Sequence, residues 1–387
     1  MIKVGVLGSG SMGSGIAQVA ATAGHDVVLV DNNPNALNQA KSKLAKVMDR
    51  LVEKGRINTQ TASEIQSRIH YKTEIEAFAS CGLVIEAIIE DLGIKQAVFA
   101  SMEAIVPADC IIASNTSSLS ISAIGSALKS PERFLGIHFF NPAPLMKLVE
   151  IIPALQTSDT YLDTAKNTID SWGKLTVLAK DTPGFIVNRI ARPFYSEALR
   201  MYDEGVADFA TIDWALTEIA GFRMGPFTLM DYIGNDINYK VTETVYASFF
   251  YDGRFMPSFT QKRLADAGYY GRKAGKGYYD YSADASMPEP NKDLDLGQMI
   301  ADRVVVMLIN FAADALFMNV ASEHDIDLAM TKGVNYPKGL LAWANEIGIQ
   351  NCVDQLDALF EEYREERYRC CPLLSRMAKN GSTFLIN

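Results

Sequence analysis

The sequence has little of what marks metalloproteins, secreted disulfide proteins and membrane proteins. It holds only 4 histidines in 387 residues, none beside cysteines or acids at metal-ligand spacing, so no metal site is predicted. The five cysteines form no CxxC pair, and their odd number favours reduced, buried thiols in a cytoplasmic protein. No stretch reaches the ~18 consecutive apolar residues of a membrane span, and the start of the chain shows no signal-peptide pattern.

Positive charge is scarce as well. The chain has 46 acidic against 36 basic residues and a net charge of −10, which argues against general nucleic-acid binding. Hydrophobic residues make up 48% and charged residues 21%, as in ordinary globular proteins and unlike disordered chains. At this length two or three domains are expected.

Short β-branched runs alternate with longer amphipathic segments over residues 1–180. The runs predict strands at residues 3–7, 26–30, 83–85, 110–113 and 133–138. The segments between them predict helices at residues 12–23, 34–54, 95–105 and 120–127. Strands that alternate with helices form βαβ units, so the sequence predicts an α/β fold with a doubly wound parallel sheet.

A glycine-rich turn follows the first predicted strand. Gly8, Gly10 and Gly13 form a GxGxxG motif, and Ser11 and Met12 stand between its last two glycines. The first glycine permits a tight turn, the second lets backbone approach a pyrophosphate, and the third lets helix and strand pack closely. A strand before the motif and a helix after it indicate a Rossmann-type dinucleotide site, with the phosphates at a helix N-terminus.

The second predicted strand ends next to an acid, Asp31, 18 residues after Gly13. A carboxylate at this point can accept hydrogen bonds from both hydroxyls of the adenine ribose. It would repel a 2′-phosphate. The predicted cofactor is therefore NAD rather than NADP.

Helical periodicity replaces the strand pattern from Phe185 onward. We predict a dinucleotide-binding domain over residues 1–184, followed by all-α domains over 185–290 and 291–387. A stretch rich in Pro, Asp, Ser and Ala at 282–295 is predicted to be a linker between the two helical domains.

The helical part contains an internal repeat. Residues 186–234 align with 300–348 at a constant offset of 114, and 12 of the 49 pairs are identical. The segment therefore looks like a duplicated helical domain. Asn188 corresponds to Asp302, and no second glycine motif or histidine-bearing strand accompanies the later copy, which is predicted to be non-catalytic.

Four further stretches carry polar side chains where ligands bind in such folds. They are SNTSSL at 114–119, GIHFFNP at 136–142, the isolated acid Glu150 in LVEII, and DTPGFIVNR at 181–189. With them the chain resembles the 3-hydroxyacyl-CoA dehydrogenase family over nearly its whole length. The resemblance implies NAD-dependent interconversion of (S)-3-hydroxyacyl-CoA and 3-oxoacyl-CoA.

By this resemblance His138 is the general acid/base and Glu150 is its partner. Oxidation of a secondary alcohol needs a base for the hydroxyl proton, and imidazole, with an ordinary pKa of ~6.5, suits that task. A neighbouring carboxylate would fix the tautomer and favour the imidazolium that forms. The resemblance also implies that Ser117 and Asn188 hydrogen-bond the reacting oxygens of the substrate.

Four more positions match family positions around the cofactor. Glu90, Lys95 and Asn115 would face its ribose and nicotinamide side, and Asn141 would support the same pocket. The other three histidines lack such surroundings and are predicted to lie at the surface: His25, His70 and His324.

A basic face is predicted on the second helix, where Lys43, Lys46, Arg50 and Lys54 recur at helical spacing. Coenzyme A carries several phosphate charges, so an acidic protein needs such a local cluster to attract it. Arg50 and Lys54 are the predicted substrate-binding residues here. An ordinary solvated helix face explains the pattern equally well.

Several alternatives stay open at this point. The acyl group can be short, as in 3-hydroxybutyryl-CoA, or dicarboxylic, as in 3-hydroxyadipyl-CoA, for which Arg192 and Arg223 are candidate partners. Rival functions are a dehydrogenase of free β-hydroxy acids and a crystallin-like structural protein without turnover. Single-copy members of the family dimerise through the helical domain, so this chain is predicted to be a homodimer or a monomer whose second copy imitates the partner.

Overall fold

The computed structural model describes residues 2–385. Met1, the first residue of the predicted first domain, and Ile386 and Asn387, the last two of the predicted last domain, lie outside the described residues. The chain divides into two compact units, Met1–Thr182 and Pro183–Asn387. The first unit holds eight strands: β1 Val4–Leu7, β2 Val27–Val30, β3 Ile69–Lys72, β4 Leu83–Glu86, β5 Ile111–Ser114, β6 Phe134–Phe139, β7 Leu148–Pro153 and β8 Leu175–Leu178. Its helices are α1 Ser11–Thr22, α2 Pro34–Glu53, α3 Thr59–Ser67, α4 Leu92–Glu103, α5 Ile121–Gly125 and α6 Asp159–Ser171.

The eight strands form one sheet in the order β3-β2-β1-β4-β5-β6-β7-β8. All neighbours are parallel except β6 and β7, which pair antiparallel. The central strands are buried along their whole length, because helices cover both faces of a doubly wound sheet. The predicted Rossmann-type sheet is confirmed, and the five predicted strands agree with the structure to within one residue at each end.

Several elements of the first unit were not predicted. Strands β3 and β8 lie at the two edges of the sheet, where one of four residues in β3 and two of four in β8 are buried, so their sequences lack a long apolar run. The prediction that His25 lies at the surface is wrong. Its ring is buried beside the Trp172 ring, with centroids 5.6 Å apart, and Nδ1 contacts the Ile2 carbonyl at 2.9 Å. His70 and His324 are exposed, as predicted.

The second unit is helical. Its helices are α7 Val187–Ile190, α8 Arg192–Asp203, α9 Phe209–Trp214, α10 Pro226–Ile233, α11 Asn235–Ser248, α12 Phe259–Asp266, α13 Leu294–Phe317, α14 Glu323–Gly333, α15 Leu340–Ile347, α16 Ile349–Tyr363 and α17 Pro372–Asn380. A π-helical turn, Ala215–Ile219, continues α9. The predicted linker is irregular up to Asp293, whose side chain caps α13. The division of this unit into domains over 185–290 and 291–387 stays a prediction.

The same buried capping device occurs in both copies of the repeat. Asp213 accepts hydrogen bonds from the Phe227 and Thr228 amides at 2.9 Å, at the start of α10. Asp327, 114 residues later, accepts from the Leu341 and Ala342 amides at 2.9 Å, at the start of α15. Each carboxylate satisfies amides that a helix start leaves unpaired. The N-cap residues, Gly225 and Gly339, have no side chain because a Cβ there would approach the carboxylate to 2.4 and 2.2 Å.

Equivalent arginines of the two copies each form an ion pair with an acid of the other copy. Helix α8 packs against α13, and the second half of α13 is the counterpart of α8 in the repeat. Arg189 lies over the Phe249 ring and pairs with Asp314 of the second copy at 2.7 Å. Its counterpart Arg303 lies over the Tyr363 ring, the equivalent of Phe249, and pairs with Glu197 of the first copy at 3.1 Å. The two acids are not equivalent positions, since Asp314 corresponds to Arg200 and Glu197 to Phe311.

The equivalent aromatic residues Phe222 and Tyr336 contact each other near the middle of this packing, with ring centroids 4.9 Å apart. The helical unit is therefore arranged internally like a pair of related halves. No helix within residues 2–385 is long and apolar enough to cross a membrane. All five cysteines are free thiols; Cys370 is half-buried and the other four are buried.

Candidate active site

The glycine turn after β1 leaves an open, positively polarised helix start. Gly8 has a φ of 99°, and a Cβ there would lie 2.5 Å from the Ala87 carbonyl oxygen. A Cβ on Gly13 would lie 1.9 Å from the Gly8 oxygen, so helix and turn are in direct contact. A Cβ on Gly10 would meet no protein atom within 4 Å. Gly10 caps α1 without a side chain, and the first turn holds no acid, so the free amides can receive phosphate.

Ser11 and Met12 form the first turn of this helix, where Ser11 is exposed and Met12 half-buried. The Ser11 hydroxyl donates a long hydrogen bond of 3.4 Å to Asn141 Oδ1, which joins the helix start to the loop after β6. Predicted residues from the glycine turn and from the loop after β6 therefore lie together at the same edge of the sheet.

Asp31 stands directly after β2 and is held in place from both sides. Its Oδ2 accepts from the Ser9 amide and the Ser9 hydroxyl at 2.8 Å, and its Oδ1 accepts from the Asn33 amide at 2.9 Å. Burial raises the pKa of Asp31, but these hydrogen bonds outweigh burial and leave the pKa below its ordinary value. The group is therefore a carboxylate, the form that accepts hydrogen bonds from a ribose.

A buried ion pair lies at the carboxyl ends of β4 and β5. Lys95, 1% exposed, contacts Glu86 Oε1 at 2.5 Å, and Glu86 also accepts from the Ser114 hydroxyl at 2.7 Å. Lys95 reaches Glu90 Oε2 at 3.4 Å as well. Glu86 was not predicted as a site residue, although its position at the end of a buried strand, where such folds bind ligands, could have indicated it.

Glu90 organises the loop that follows β5. Its Oε1 accepts from the Thr116 hydroxyl at 2.5 Å, the Ser118 hydroxyl at 2.9 Å and the Ser117 amide at 3.1 Å. Burial raises the pKa of Glu90, but Lys95 and these donors lower it by more, so the pKa lies below its ordinary value and the carboxylate is charged. The Ser117 hydroxyl is left half-buried at the surface of this loop.

Asn115 follows β5 and bonds to the strands on both sides of it. Its backbone N–H donates to the Glu86 carbonyl of β4, and its side-chain Oδ1 accepts from the Phe139 amide of β6, both at 2.8 Å. The side chain therefore holds the end of β6, which carries His138. Beyond this strand end, Lys174 donates to the carbonyls of Ala143 and Met146 at 2.6 and 2.7 Å. No sequence motif indicated Lys174.

His138 and Glu150 face each other across the antiparallel pair β6 and β7. They are direct partners in the strand register, and His138 Nδ1 lies 2.7 Å from Glu150 Oε2. Glu150 is completely buried and His138 is 5% exposed. The Phe140 ring packs beside the imidazole, with centroids 4.6 Å apart. Because the carboxylate contacts Nδ1, the opposite nitrogen, Nε2, is the one on which a proton can be exchanged.

The remaining predicted residues lie elsewhere. Asn188 is half-buried in α7, in the second unit. Arg50 lies in the last turn of α2 and Lys54 caps this helix, and both are exposed together with Lys43 and Lys46. None of these four bases forms an ion pair with any residue from 2 to 385.

Comparison with known families gives two matches. The 3-hydroxyacyl-CoA dehydrogenase NAD binding domain matches residues 3–182. The 3-hydroxyacyl-CoA dehydrogenase C-terminal domain matches twice, over residues 184–281 and 299–383. The double match agrees with the internal repeat.

One relative and one solved structure cover nearly the whole chain, and a second relative covers about three quarters of it. The chain is similar to 3-hydroxyadipyl-CoA dehydrogenase of Escherichia coli K12, at 37% identity over 97% of both chains. It is 40% identical to 3-hydroxybutyryl-CoA dehydrogenase of Clostridioides difficile, over 73% of this chain and 100% of that one. The crystal structure of an Escherichia coli 3-hydroxybutyryl-CoA dehydrogenase superimposes with a TM-score of 0.93, at 36% identity, and covers 98% of this chain and 99% of that one.

Proposed function

Because the chain belongs to the 3-hydroxyacyl-CoA dehydrogenase family, we propose individual roles for its site residues in the reaction of that family. The chain is an enzyme that oxidises 3-hydroxyacyl-CoA with NAD as its cofactor. The observation that carries the proposal is the buried contact of 2.7 Å between His138 and Glu150.

The residues around the glycine turn fit NAD. The space over Gly10 and the free amides of α1 suit the pyrophosphate, and the fixed carboxylate of Asp31 suits the ribose hydroxyls. When bound, NAD supplies the hydride acceptor of the oxidation. We assign Ser11, Met12 and Asn141 to the same pocket, and Glu90, Lys95 and Asn115 to its ribose and nicotinamide side.

His138 is proposed to hold the proton of the substrate's 3-hydroxyl during oxidation. Nε2 takes this proton while Nδ1–H donates to Glu150 Oε2, and the imidazole becomes an imidazolium. The buried Glu150 carboxylate, in contact with Nδ1, would stabilise the new positive charge at short range. In the reverse direction the imidazolium returns the proton to the 3-oxo oxygen.

Two further side chains are proposed to orient the substrate. The Ser117 hydroxyl and the Asn188 amide would hydrogen-bond its reacting oxygens, as the family resemblance implies. Glu90 supports this role for Ser117 because it fixes the Ser117 amide, and thereby the loop, while the hydroxyl stays half-exposed. Such positioning supplies part of the rate because it replaces random encounters by a fixed geometry.

The exposed bases of α2 are proposed to attract the phosphate end of coenzyme A. Arg50 and Lys54 stand at the end of the helix without carboxylate partners among the described residues, so their charges are available to a ligand. This site would work by long-range attraction, and its contribution should fall as salt is added.

The names of the relatives point to two classes of acyl group. The relatives are named for 3-hydroxybutyryl-CoA, a short acyl group, and for 3-hydroxyadipyl-CoA, a dicarboxylic one. Both classes share the 3-hydroxyl group on which His138 is proposed to act.

We propose that the chain is a monomer whose second helical copy replaces a partner subunit. The ion pairs of Arg189 with Asp314 and of Arg303 with Glu197 support this proposal, because each joins one copy of the repeat to the other within a single chain. Sedimentation equilibrium should give about the mass of one chain, 42.5 kDa. A stable dimer would contradict the proposal. The free thiols suggest a reducing compartment, and we propose the cytoplasm.

The proposed function is tested by following NADH absorbance when the protein meets acetoacetyl-CoA. Wild type should oxidise NADH, and His138→Gln should lower kcat by about 10²-fold or more. Equal rates would remove His138 from the mechanism. Activity only on free β-hydroxy acids would support the first rival function, and NAD binding without any turnover would support the structural one.

A further inference from the structure

Helix α8 begins with a buried arginine that has no carboxylate partner. Arg192 is 5% exposed, and no acid among residues 2–385 forms an ion pair with it. Only Nη1 donates a hydrogen bond, to the Thr242 hydroxyl at 3.1 Å, and Nε is enclosed without an acceptor. Its guanidinium lies over the Tyr195 ring at 5.0 Å. Burial lowers the pKa of Arg192, with no nearby carboxylate to oppose it.

An unpaired buried charge is costly and calls for an explanation. Nε and Nη2 form the side of the guanidinium that binds a carboxylate through two parallel hydrogen bonds, and no described residue accepts from either of them. The buried Arg192 therefore offers the fork that matches a carboxylate, while Nη1 is occupied by Thr242.

The internal repeat shows that the fold does not require this polar group. At the offset of 114 residues, the second copy has apolar residues where the first copy has Arg192, Tyr195 and Thr242. These equivalents are Val306, Ile309 and Leu356, and all three are buried. The same helix packing is thus stable without a charge. The polar cluster occurs in the copy that contains Asn188, and the other copy, with an exposed Asp302 at that position, lacks it.

The spacing relates this arginine to the reacting end of the substrate. Arg192 follows Asn188 by four residues, across the junction at Ala191 where α7 ends and α8 begins. Ala191 has φ −75° and ψ −7°, so the chain turns there rather than extends, and four residues of such a turn rise about 6 Å. In a six-carbon dicarboxylic acyl chain, C3 and the terminal carboxyl carbon are three single bonds of about 1.5 Å apart, a span of about 4 Å.

We propose that Arg192 binds the terminal carboxylate of a dicarboxylic 3-hydroxyacyl-CoA and thereby sets the substrate class of this enzyme. The proposal rests on the proposed function, because it takes Asn188 as the group at the reacting oxygens. Arg223, the other arginine that the sequence offered, is exposed and lacks the enclosed setting that would make a carboxylate pair strong.

The test compares 3-hydroxyadipyl-CoA with 3-hydroxyhexanoyl-CoA, which has the same chain length and no terminal carboxylate. Wild type should show a kcat/KM at least about 10-fold higher for the dicarboxylic substrate, because a charge-assisted bidentate pair is gained. Arg192→Met should lower that value by about 10²-fold and leave the hexanoyl substrate unaffected or improved. Arg192→Lys keeps the charge without the fork and should give an intermediate loss.

Several outcomes would overturn the proposal. A wild type without preference for the carboxylate would do so, even if Arg192→Met failed to fold. Equal losses on both substrates would reduce Arg192 to a structural role, and a loss of preference in Arg223→Met instead would move the site to Arg223. Failure of wild type to turn over acetoacetyl-CoA, by contrast, would contradict the proposed function itself.

Discussion

Replacement of Glu150 by glutamine removes one charge from the active site and nearly nothing else. Glutamine has the same length, and its amide can still accept a hydrogen bond from His138 Nδ1. Glu150 is completely buried at the centre of β7, with Val149 and Ile151 on either side equally buried. Thermal unfolding and NADH binding should therefore stay close to wild type, and the chemical step should slow.

The expected magnitude follows from the contact of 2.7 Å between His138 Nδ1 and Glu150 Oε2. With the charges spread over each group, their centres lie about 4 Å apart, and at an effective dielectric constant of about 20 the attraction is ~4 kcal/mol. That energy corresponds to about 10³-fold in rate. The proton is only partly transferred in the transition state, so the full energy is not lost. At about neutral pH we therefore expect Glu150→Gln to lower kcat by about 10²- to 10³-fold. A loss of this size falls within the usual range for general acid–base catalysis.

The assay is NADH oxidation at saturating acetoacetyl-CoA, with Asp170→Asn as the matched control. Asp170 is a carboxylate of the same unit that holds the Thr176 hydroxyl at 2.7 Å and has no role in the proposed mechanism. Its variant should keep the wild-type kcat. A Glu150→Gln enzyme that binds NADH and turns over within a few-fold of wild type would refute the electrostatic argument.

Four further variants follow from the same structure. Gly10→Ala should fold normally and raise the KM for NAD, whereas Gly13→Ala should lose stability, because only the latter Cβ collides with backbone, at 1.9 Å; calorimetry and kinetics separate the two. Asp31→Ser should raise the KM for NAD by about 10²-fold, since hydrogen bonds to a charged group are lost, and should lower the preference for NAD over NADP. The pKa of Asp31 is lowered in the folded protein, so its hydrogen bonds stabilise the fold above the ordinary pKa of 3.8. This stabilisation is lost as pH falls through the pKa that Asp31 has in the folded protein. Asp31 should therefore stay charged between about pH 5 and 8, and NAD binding should not change there through its titration. Asp327→Ala should cost about 2 kcal/mol in urea unfolding with kcat unchanged, because it removes the cap of α15 in the second copy; a large loss of kcat would contradict a non-catalytic second copy.

The first unit was predictable because its signals are local. The strands of the sheet centre are continuous apolar runs, and the glycine motif fixes the turn after β1 by steric contact alone. The edge strands β3 and β8 escaped prediction because few of their residues are buried and their conformation depends on pairing with β2 and β7. The buried strand β7 was also missed, since Glu150 interrupts its apolar run. His25 was misjudged for a related reason, because the Trp172 ring that covers it is far away in the sequence.

Within the site, the sequence indicated candidate residues but not the residues that hold them in position. Strand register could not be read from the sequence, yet it is the register of β6 and β7 that brings His138 opposite Glu150. Glu86 and Lys174 hold site loops from behind, and neither belongs to a motif, because their partners are a lysine in α4 and two backbone carbonyls.

The sequence by itself determined the dinucleotide site, the preference for NAD, the acid/base pair as a candidate and the duplication of the helical part, since each rests on residue type at fixed spacing. Only the tertiary structure decided which arginine lacks a partner and how the two copies meet. Arg192 and Arg189 look alike in the sequence, three residues apart. Long-range packing places Asp314 beside Arg189, whereas no acid among the described residues pairs with Arg192. The difference arises because pairing of charges depends on distance in space and not along the chain.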